Sequence, residues 1–274
     1  MDYINSIILG VVQGLTEFLP VSSTAHLILV PKLLKMKEAL LNSMAFDIFL
    51  HLGTLLAVIL FYWKKLLRIL KSFFQGIISV KKREAIDFKI GVYLIIGTLP
   101  AFLVGYFLKD IIETVFRGTF YVASFLILFS FFLLVADRIK NSGREINNMN
   151  FMDAIVIGCF QAIALLPGVS RSGISITAGL LRGFKREEAA EFSFLLSVPA
   201  ISGAVIFGAK DLLKYGIGEN FLILFLGFIF SFLSGFLAIK FLISFVKRYS
   251  YLIFVIYRVI VGVIILVFAM LNII

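Results

Sequence analysis

Six stretches of this chain run for close to twenty residues with almost no charge: 46–62, 88–108, 119–136, 188–208, 220–243 and 250–272. A helix of that length spans a hydrocarbon core of ~30 Å, and helices satisfy their own backbone in lipid. Each stretch therefore reads as a transmembrane helix, the first extending toward Asn42. Of the 274 residues 61% are apolar and 15% charged, too few charges to coat a water-soluble globule. The expected fold is an all-α polytopic membrane protein, a single membrane domain over 1–274 with no soluble domain attached. Met1-Asp2-Tyr3 lacks a basic region, and Gln13 and Glu17 interrupt the apolar stretch that follows, so no cleavable signal is expected. The lone Cys159 excludes an intrachain disulfide.

Two further apolar stretches, 3–34 and 151–182, do not read as simple spans. Each is broken near its middle by a proline and a cluster of hydroxyls, Leu19-Pro20-Val21-Ser22-Ser23-Thr24 in the first and Leu166-Pro167-Gly168-Val169-Ser170-Arg171-Ser172-Gly173 in the second. The half-helices are too short to cross alone, and irregular backbone survives at that depth only inside protein or along a wet cavity. Both are expected to be re-entrant helix–loop–helix hairpins.

The basic residues support this topology. The net charge of +10 would suggest nucleic acid in a soluble chain, but here the cations sit in short loops, so no nucleic-acid partner is expected. With the N-terminus outside and each hairpin returning to its own side, 17 Lys and Arg fall on the cytoplasmic side, among them Lys64, Lys65, Arg68, Arg138, Lys140, Arg182 and a loop run Lys81-Lys82-Arg83. Only seven fall outside (Lys32, Lys35, Lys37, Lys109, Arg117, Lys210 and Lys214), and Arg171 and Arg258 stay in the membrane. A hairpin that crossed would move every later loop to the other side and degrade the bias.

The same order reveals a repeat. About 1–136 is one hairpin plus three spans, and about 151–274 is another. Gly10-Val11-Val12-Gln13 parallels Gly158-Cys159-Phe160-Gln161, and the two Leu-Pro breaks align. Three spans lie between the hairpins, so the second enters from the opposite face, an inverted-topology repeat with a site where the breaks meet. Gly227, Ser231 and Gly235 form a small-xxx-small series, a helix-packing signal.

The breaks carry the chemistry. Gln13 and Glu17 share a helix face, and a carboxylate at membrane depth marks function by default. Ser22, Ser23 and Thr24 can cap the half-helix that holds His26. In the second break Arg171 stands between Ser170 and Ser172, and offers a planar fork suited to phosphate beside a helix N-terminus. Ser22, Thr24, Gly168, Ser170, Arg171, Ser172 and Thr177 are the candidate phosphate contacts. This inventory fits phosphoryl transfer: Arg171 and N–H groups neutralise charge, Ser23, Ser22 or water attacks, and His26 or Glu17 accepts the proton. Glu17 with Gln13 could hold a divalent cation through oxygen. Plainer readings stand beside these: a structural Glu17–Arg171 ion pair, a core His26, serines that only cap, and an Arg258 and Lys240 that pair or snorkel. His51 and Gln161 fit either packing or a supporting role.

The stretch from Gln13 to His26 resembles the first signature of bacterial undecaprenyl-diphosphate phosphatases of the bacitracin-resistance type, and Pro167 to Gly173 resembles the second. The likeness continues through Glu191-Phe192-Ser193-Phe194-Leu195-Leu196-Ser197-Val198-Pro199 and covers essentially the whole chain. It implies hydrolysis of undecaprenyl diphosphate, a polyprenyl diphosphate lipid in the bilayer, to undecaprenyl phosphate and phosphate in the bacterial plasma membrane, with loss of the diphosphate lipid explaining bacitracin resistance. It also implies catalytic roles for Glu17, Ser23, His26 and Arg171, a divalent cation such as Mg²⁺ or Ca²⁺, and a site that opens outward. Where some members carry an acidic pair, this chain has Gln13 and Glu17, so Glu17 takes any carboxylate role alone. The rival reading is a transporter or flippase for polyprenyl phosphate, since inverted repeats of broken helices are a common transporter design. A homodimer is carried as an expectation.

Overall fold

The structure, a computed structural model, describes residues 2–36, 40–41, 43–139, 143–214 and 217–271. Lys37, Asn42, Lys140 and the end of the last span at Asn272 lie outside these, as do the side chains of Lys109, Lys210 and Lys214. The described residues form eleven α-helices: α1 (Asp2–Phe18), α2 (Ser23–Leu33), α3 (Met44–Phe61), α4 (Trp63–Ile78), α5 (Ile86–Val115), α6 (Thr119–Arg138), α7 (Phe151–Ile163), α8 (Arg171–Leu181), α9 (Arg186–Lys214), α10 (Ile217–Val246) and α11 (Leu252–Met270).

Five of them contain a stretch long and apolar enough to cross a membrane: Ile86–Leu108, Thr119–Arg138, Arg186–Gly208, Asn220–Val246 and Leu252–Met270. The pair Ala45–Phe61 and Trp63–Ile78, bent by 82°, supplies the sixth. The chain is a multi-pass membrane protein. Helices α5, α9 and α10 outrun the apolar windows 88–108, 188–208 and 220–243, because a helix continues past the hydrocarbon where water tolerates its charges.

One element differs from the sequence reading. The residues after the first span are not an open loop but α4, followed by a short 3₁₀ turn over Val80–Glu84. Its buried face, Ile69 and Gly76, packs on α5, with Gly76 against the ring of Phe88. Lys64, Lys65, Arg68 and Lys71 interleave with exposed Leu67, Leu70 and Phe74. Charge so frequent along the chain hid a helix that turns 82° away from α3.

The second hairpin returns to the level at which it starts. Asp153, in the first turn of α7, accepts from Arg182 Nε at 2.6 Å, and Arg182 caps the end of α8. In the first hairpin, Ile8 and Leu9 of α1 share a cluster with Leu27 and Val30 of α2 and with Met36 beyond it. The hairpins are rooted at opposite ends of α6, whose 20 residues rise ~30 Å. Lys32 at the end of α2 donates to Thr119 at the start of α6 at 3.1 Å. Arg186, just past the second hairpin, pairs at 2.6 Å with Asp137 at the far end of α6.

The halves also exchange partners. Helix α1 packs on α10, and its counterpart α7 packs on α5. Both crossings are glycine-to-glycine. A Cβ on Gly10 would stand 2.6 Å from the Gly227 carbonyl oxygen, and one on Gly158 would stand 2.6 Å from that of Gly97. Small residues permit such close approach in lipid, where apolar burial drives no association. The series on α10 has this use: Gly227, Ser231 and Gly235 receive Gly10 and Gly14 of α1, and Gly53 of α3 packs over Phe228 and Ser231.

Candidate active site

Proline and hydroxyls break both hairpins in one geometry. Helix α1 stops at Phe18, and Ser22 takes the left-handed backbone (φ 73, ψ 95) while its hydroxyl accepts from Ala25 N to start α2. Helix α7 stops at Ile163, and Ser170 takes φ 75, ψ 110 while its hydroxyl accepts from Gly173 N to start α8. A left-handed non-glycine costs ~1–3 kcal/mol and persists only where its surroundings enforce it. From proline to capping serine the second break is one residue longer, and the insertion is Gly168 at φ +101. A Cβ there would lie 2.3 Å from the Val122 carbonyl oxygen, so glycine alone fits. The residue after each capping serine opens the returning helix: Ser23 in one half, Arg171 in the other.

The breaks meet. Ser172 Oγ donates to the Leu19 carbonyl at 3.1 Å. Arg258 of α11 joins them more firmly, and does not snorkel. It is 1% exposed and donates to Pro20 O at 3.4 Å, Gly168 O at 3.3 Å, Val169 O at 2.9 Å and Leu126 O at 3.1 Å. One guanidinium thus satisfies carbonyls from both interrupted helices and from α6. Gly173 has no side chain because a Cβ would come within 2.9 Å of Arg258 Nη1.

Around Glu17 the donors converge. Arg171 Nη2 donates to Glu17 Oε1 at 2.6 Å, Ser23 Oγ to Oε2 at 2.7 Å, and Gln13 Nε2 to Oε2 at 3.2 Å. His51 Nε2 of α3 lies 3.9 Å from the same Oε2. Arg171 Nη1 also donates to Ser193 O of α9 at 3.3 Å, and Ser175 bonds the Ser193 hydroxyl at 2.7 Å, which ties the arginine's helix to a third element.

His26 stands with a different set. Its Nδ1 lies 2.8 Å from Ser22 O, an acceptor only, so Nδ1 carries the hydrogen. Its Nε2 accepts from the Tyr257 hydroxyl at 2.7 Å. The remaining phosphate candidates divide by environment. Ser22, Ser170 and Ser172 are buried at the breaks, whereas Thr24 is exposed on the first turn of α2. Thr177 is buried further along α8, its hydroxyl donating to Gly173 O at 2.7 Å within its own helix, and the Gly168 carbonyl is taken by Arg258.

The arrangement can polarise a hydroxyl and hold an anion. Ser23 faces a carboxylate, Arg171 presents charge beside it, and the first turns of α2 and α8 carry N–H groups without intrahelical acceptors. Among the described residues no cluster of three His, Cys, Asp or Glu side chains could enclose a metal ion. Gln13 Oε1 is nevertheless buried with no partner beside Glu17, so an oxygen-rich corner exists that substrate phosphates could complete.

Three residues here exceeded the sequence reading. Tyr257 carried no signal in its apolar run. Arg258 carried one, since a mid-span arginine is functional by default, but its partners are backbone carbonyls that no side-chain pattern announces. His51 fits either packing or support by sequence, and its approach to Glu17 depends on how α3 packs.

The bacitracin resistance protein BacA family matches this chain over residues 6–264. The chain is 44% identical over 272 residues to the undecaprenyl-diphosphatase of Elusimicrobium minutum, covering 99% of this chain and 100% of that protein. It is 44% identical to the undecaprenyl-diphosphatase of Desulforudis audaxviator over 99% of this chain and 100% of the relative. It is 40% identical to that of Methanosphaera stadtmanae over 96% and 97%.

Proposed function

This chain belongs to the bacitracin resistance protein BacA family, and on that premise we propose that it hydrolyses undecaprenyl diphosphate to undecaprenyl phosphate and inorganic phosphate. The enzyme recycles the lipid that carries cell-wall precursors, and depletion of the diphosphate form accounts for bacitracin resistance. Export or flipping of polyprenyl phosphate is not favoured, because the relatives carry the hydrolase name over their full length.

One observation carries the mechanism: Ser23, Glu17 and Arg171 form an unbroken hydrogen-bonded line across the two breaks. In this reading the diphosphate lies against the first turns of α2 and α8, with Arg171 on its terminal phosphate and the N–H groups of Ser22, Thr24, Ser170 and Ser172 around it. Ser23 Oγ attacks the terminal phosphorus while its proton passes to Glu17 Oε2. The bond from phosphorus to the bridging oxygen breaks, and undecaprenyl phosphate leaves with that oxygen. Glu17 gives that proton to the departing phosphate oxygen; water then attacks the phosphoserine, Glu17 takes the water proton and returns it to Ser23 Oγ as the phosphorus–Oγ bond breaks, and phosphate departs. His26 anchors Ser22 through its Nδ1–H, and so fixes the turn that presents Ser23. A divalent cation held by Glu17, with the Gln13 amide oxygen, would offset phosphate charge when bound.

The excess of basic residues on the Arg138 and Arg182 side supports a cytoplasmic location for that end, so the first hairpin enters from the outside of the plasma membrane. Phosphate release from undecaprenyl diphosphate by purified protein in detergent tests the function, because detergent removes sidedness. Release abolished by Glu17→Gln and by Arg171→Met is expected. Intact substrate in detergent, with lipid movement between leaflets of proteoliposomes, would establish the transporter instead.

A further inference from the structure

His51 of α3 presents a basic nitrogen to the catalytic carboxylate. Its Nδ1 lies 2.7 Å from the Asp47 carbonyl, which accepts only, so Nδ1 bears a hydrogen and the neutral ring carries its lone pair on Nε2. That lone pair lies 3.9 Å from Glu17 Oε2, and the side chain is 31% exposed, open to whatever enters the site. In the neutral ring two electron-rich atoms face each other, an arrangement that a cation between them satisfies. Gln13 supplies a third: it is fully buried, its Oε1 has no partner, and a half-turn of the amide places that oxygen where Nε2 now stands, 3.2 Å from Glu17 Oε2.

We propose that His51 Nε2 is the nitrogen ligand of a divalent cation site whose other protein ligands are the Glu17 carboxylate and Gln13 Oε1. The proposal rests on the cation reading above and adds a ligand and a selectivity to it. Ligand atoms each ~2.1 Å from a shared ion stand up to ~4.2 Å apart, so the 3.9 Å separation needs little adjustment. A backbone carbonyl on the far ring nitrogen is the arrangement that orients metal-binding histidines, and Asp47 provides it. Arg171 occupies Oε1, and the half-turn of the Gln13 amide takes its donor off Oε2, where Ser23 Oγ stays at 2.7 Å and the His51 side can receive the cation. Two chain elements, α1 and α3, then share one ion, and substrate phosphates complete its shell. An imidazole in an otherwise oxygen set favours Mn²⁺ over Ca²⁺.

The test is pulsed electron paramagnetic resonance of Mn²⁺ bound to purified full-length protein in micelles, with Mn²⁺ and Ca²⁺ affinities measured alongside. Wild type is expected to show nitrogen modulation from one imidazole. His51→Gln should lose that modulation and about tenfold or more in Mn²⁺ affinity, with Ca²⁺ affinity nearly unchanged. Glu17→Gln should lose both cations. Mn²⁺ that depends on Glu17 but shows no nitrogen modulation in wild type, or a His51→Gln protein with unchanged signal and affinity, would remove His51 from the site and leave the cation reading intact. Mn²⁺ binding indifferent to Glu17→Gln, or no stoichiometric binding, would defeat the cation reading and this proposal with it.

Discussion

Arg171 Nη2 stands 2.6 Å from Glu17 Oε1 although 154 residues separate them in the chain. Both side chains are largely buried, at 16% and 6% exposure. Each charge is therefore tolerable at this depth because of the other, and because the substrate brings further negative charge to the arginine. The fork serves two masters, donating through Nη1 to Ser193 O and through Nη2 to Glu17. Arg171→Lys keeps the charge and loses the fork. It should lower kcat/KM for the diphosphate lipid ~10²–10³-fold, measured by phosphate release.

The glycine crossings make a stability prediction with an internal control. Gly10→Ala and Gly158→Ala each place a Cβ 2.6 Å from a partner carbonyl oxygen, so α1 must move from α10, or α7 from α5. Each should cost ~1–3 kcal/mol of stability, seen as a lower melting temperature in micelles. Gly203→Ala meets nothing within 4 Å and should melt like wild type.

Arg258 offers a third case. Arg258→Leu leaves the carbonyls of Pro20, Gly168 and Val169 without this donor, each at ~1–3 kcal/mol where no other partner replaces it. The variant should melt earlier and lose turnover, because the two breaks lose their common strut. Arg258→Lys should recover part of the stability and little of the turnover, since one ammonium cannot reach all the carbonyls. Melting curves and phosphate release on the same preparations separate the two effects.

The sequence made the frame legible because lipid forbids compromise. Apolar length set the spans, and the two Leu-Pro breaks with their serines could be neither spans nor exposed loops. The matched breaks by themselves imply that Glu17, Ser23 and Arg171 meet. Helix α4 escaped because its basic residues are as frequent as those of a loop, and its amphipathic face is read only against α5. Arg258 and Tyr257 escaped for another reason. Arg258 bonds backbone oxygens, and Tyr257 meets His26 from 231 residues away, a relation carried by tertiary packing alone.

Ser23 carries the central claim, since its hydroxyl lies 2.7 Å from the Glu17 carboxylate. The direct measurement is rapid acid quench of the purified enzyme with undecaprenyl diphosphate labelled in its terminal phosphate, followed by peptide mapping. Label should appear on the peptide containing Ser23 before free phosphate accumulates, and Ser23→Ala should show neither label nor turnover. Wild-type phosphate release with no labelled peptide at any time, together with undiminished turnover by Ser23→Ala, would contradict it.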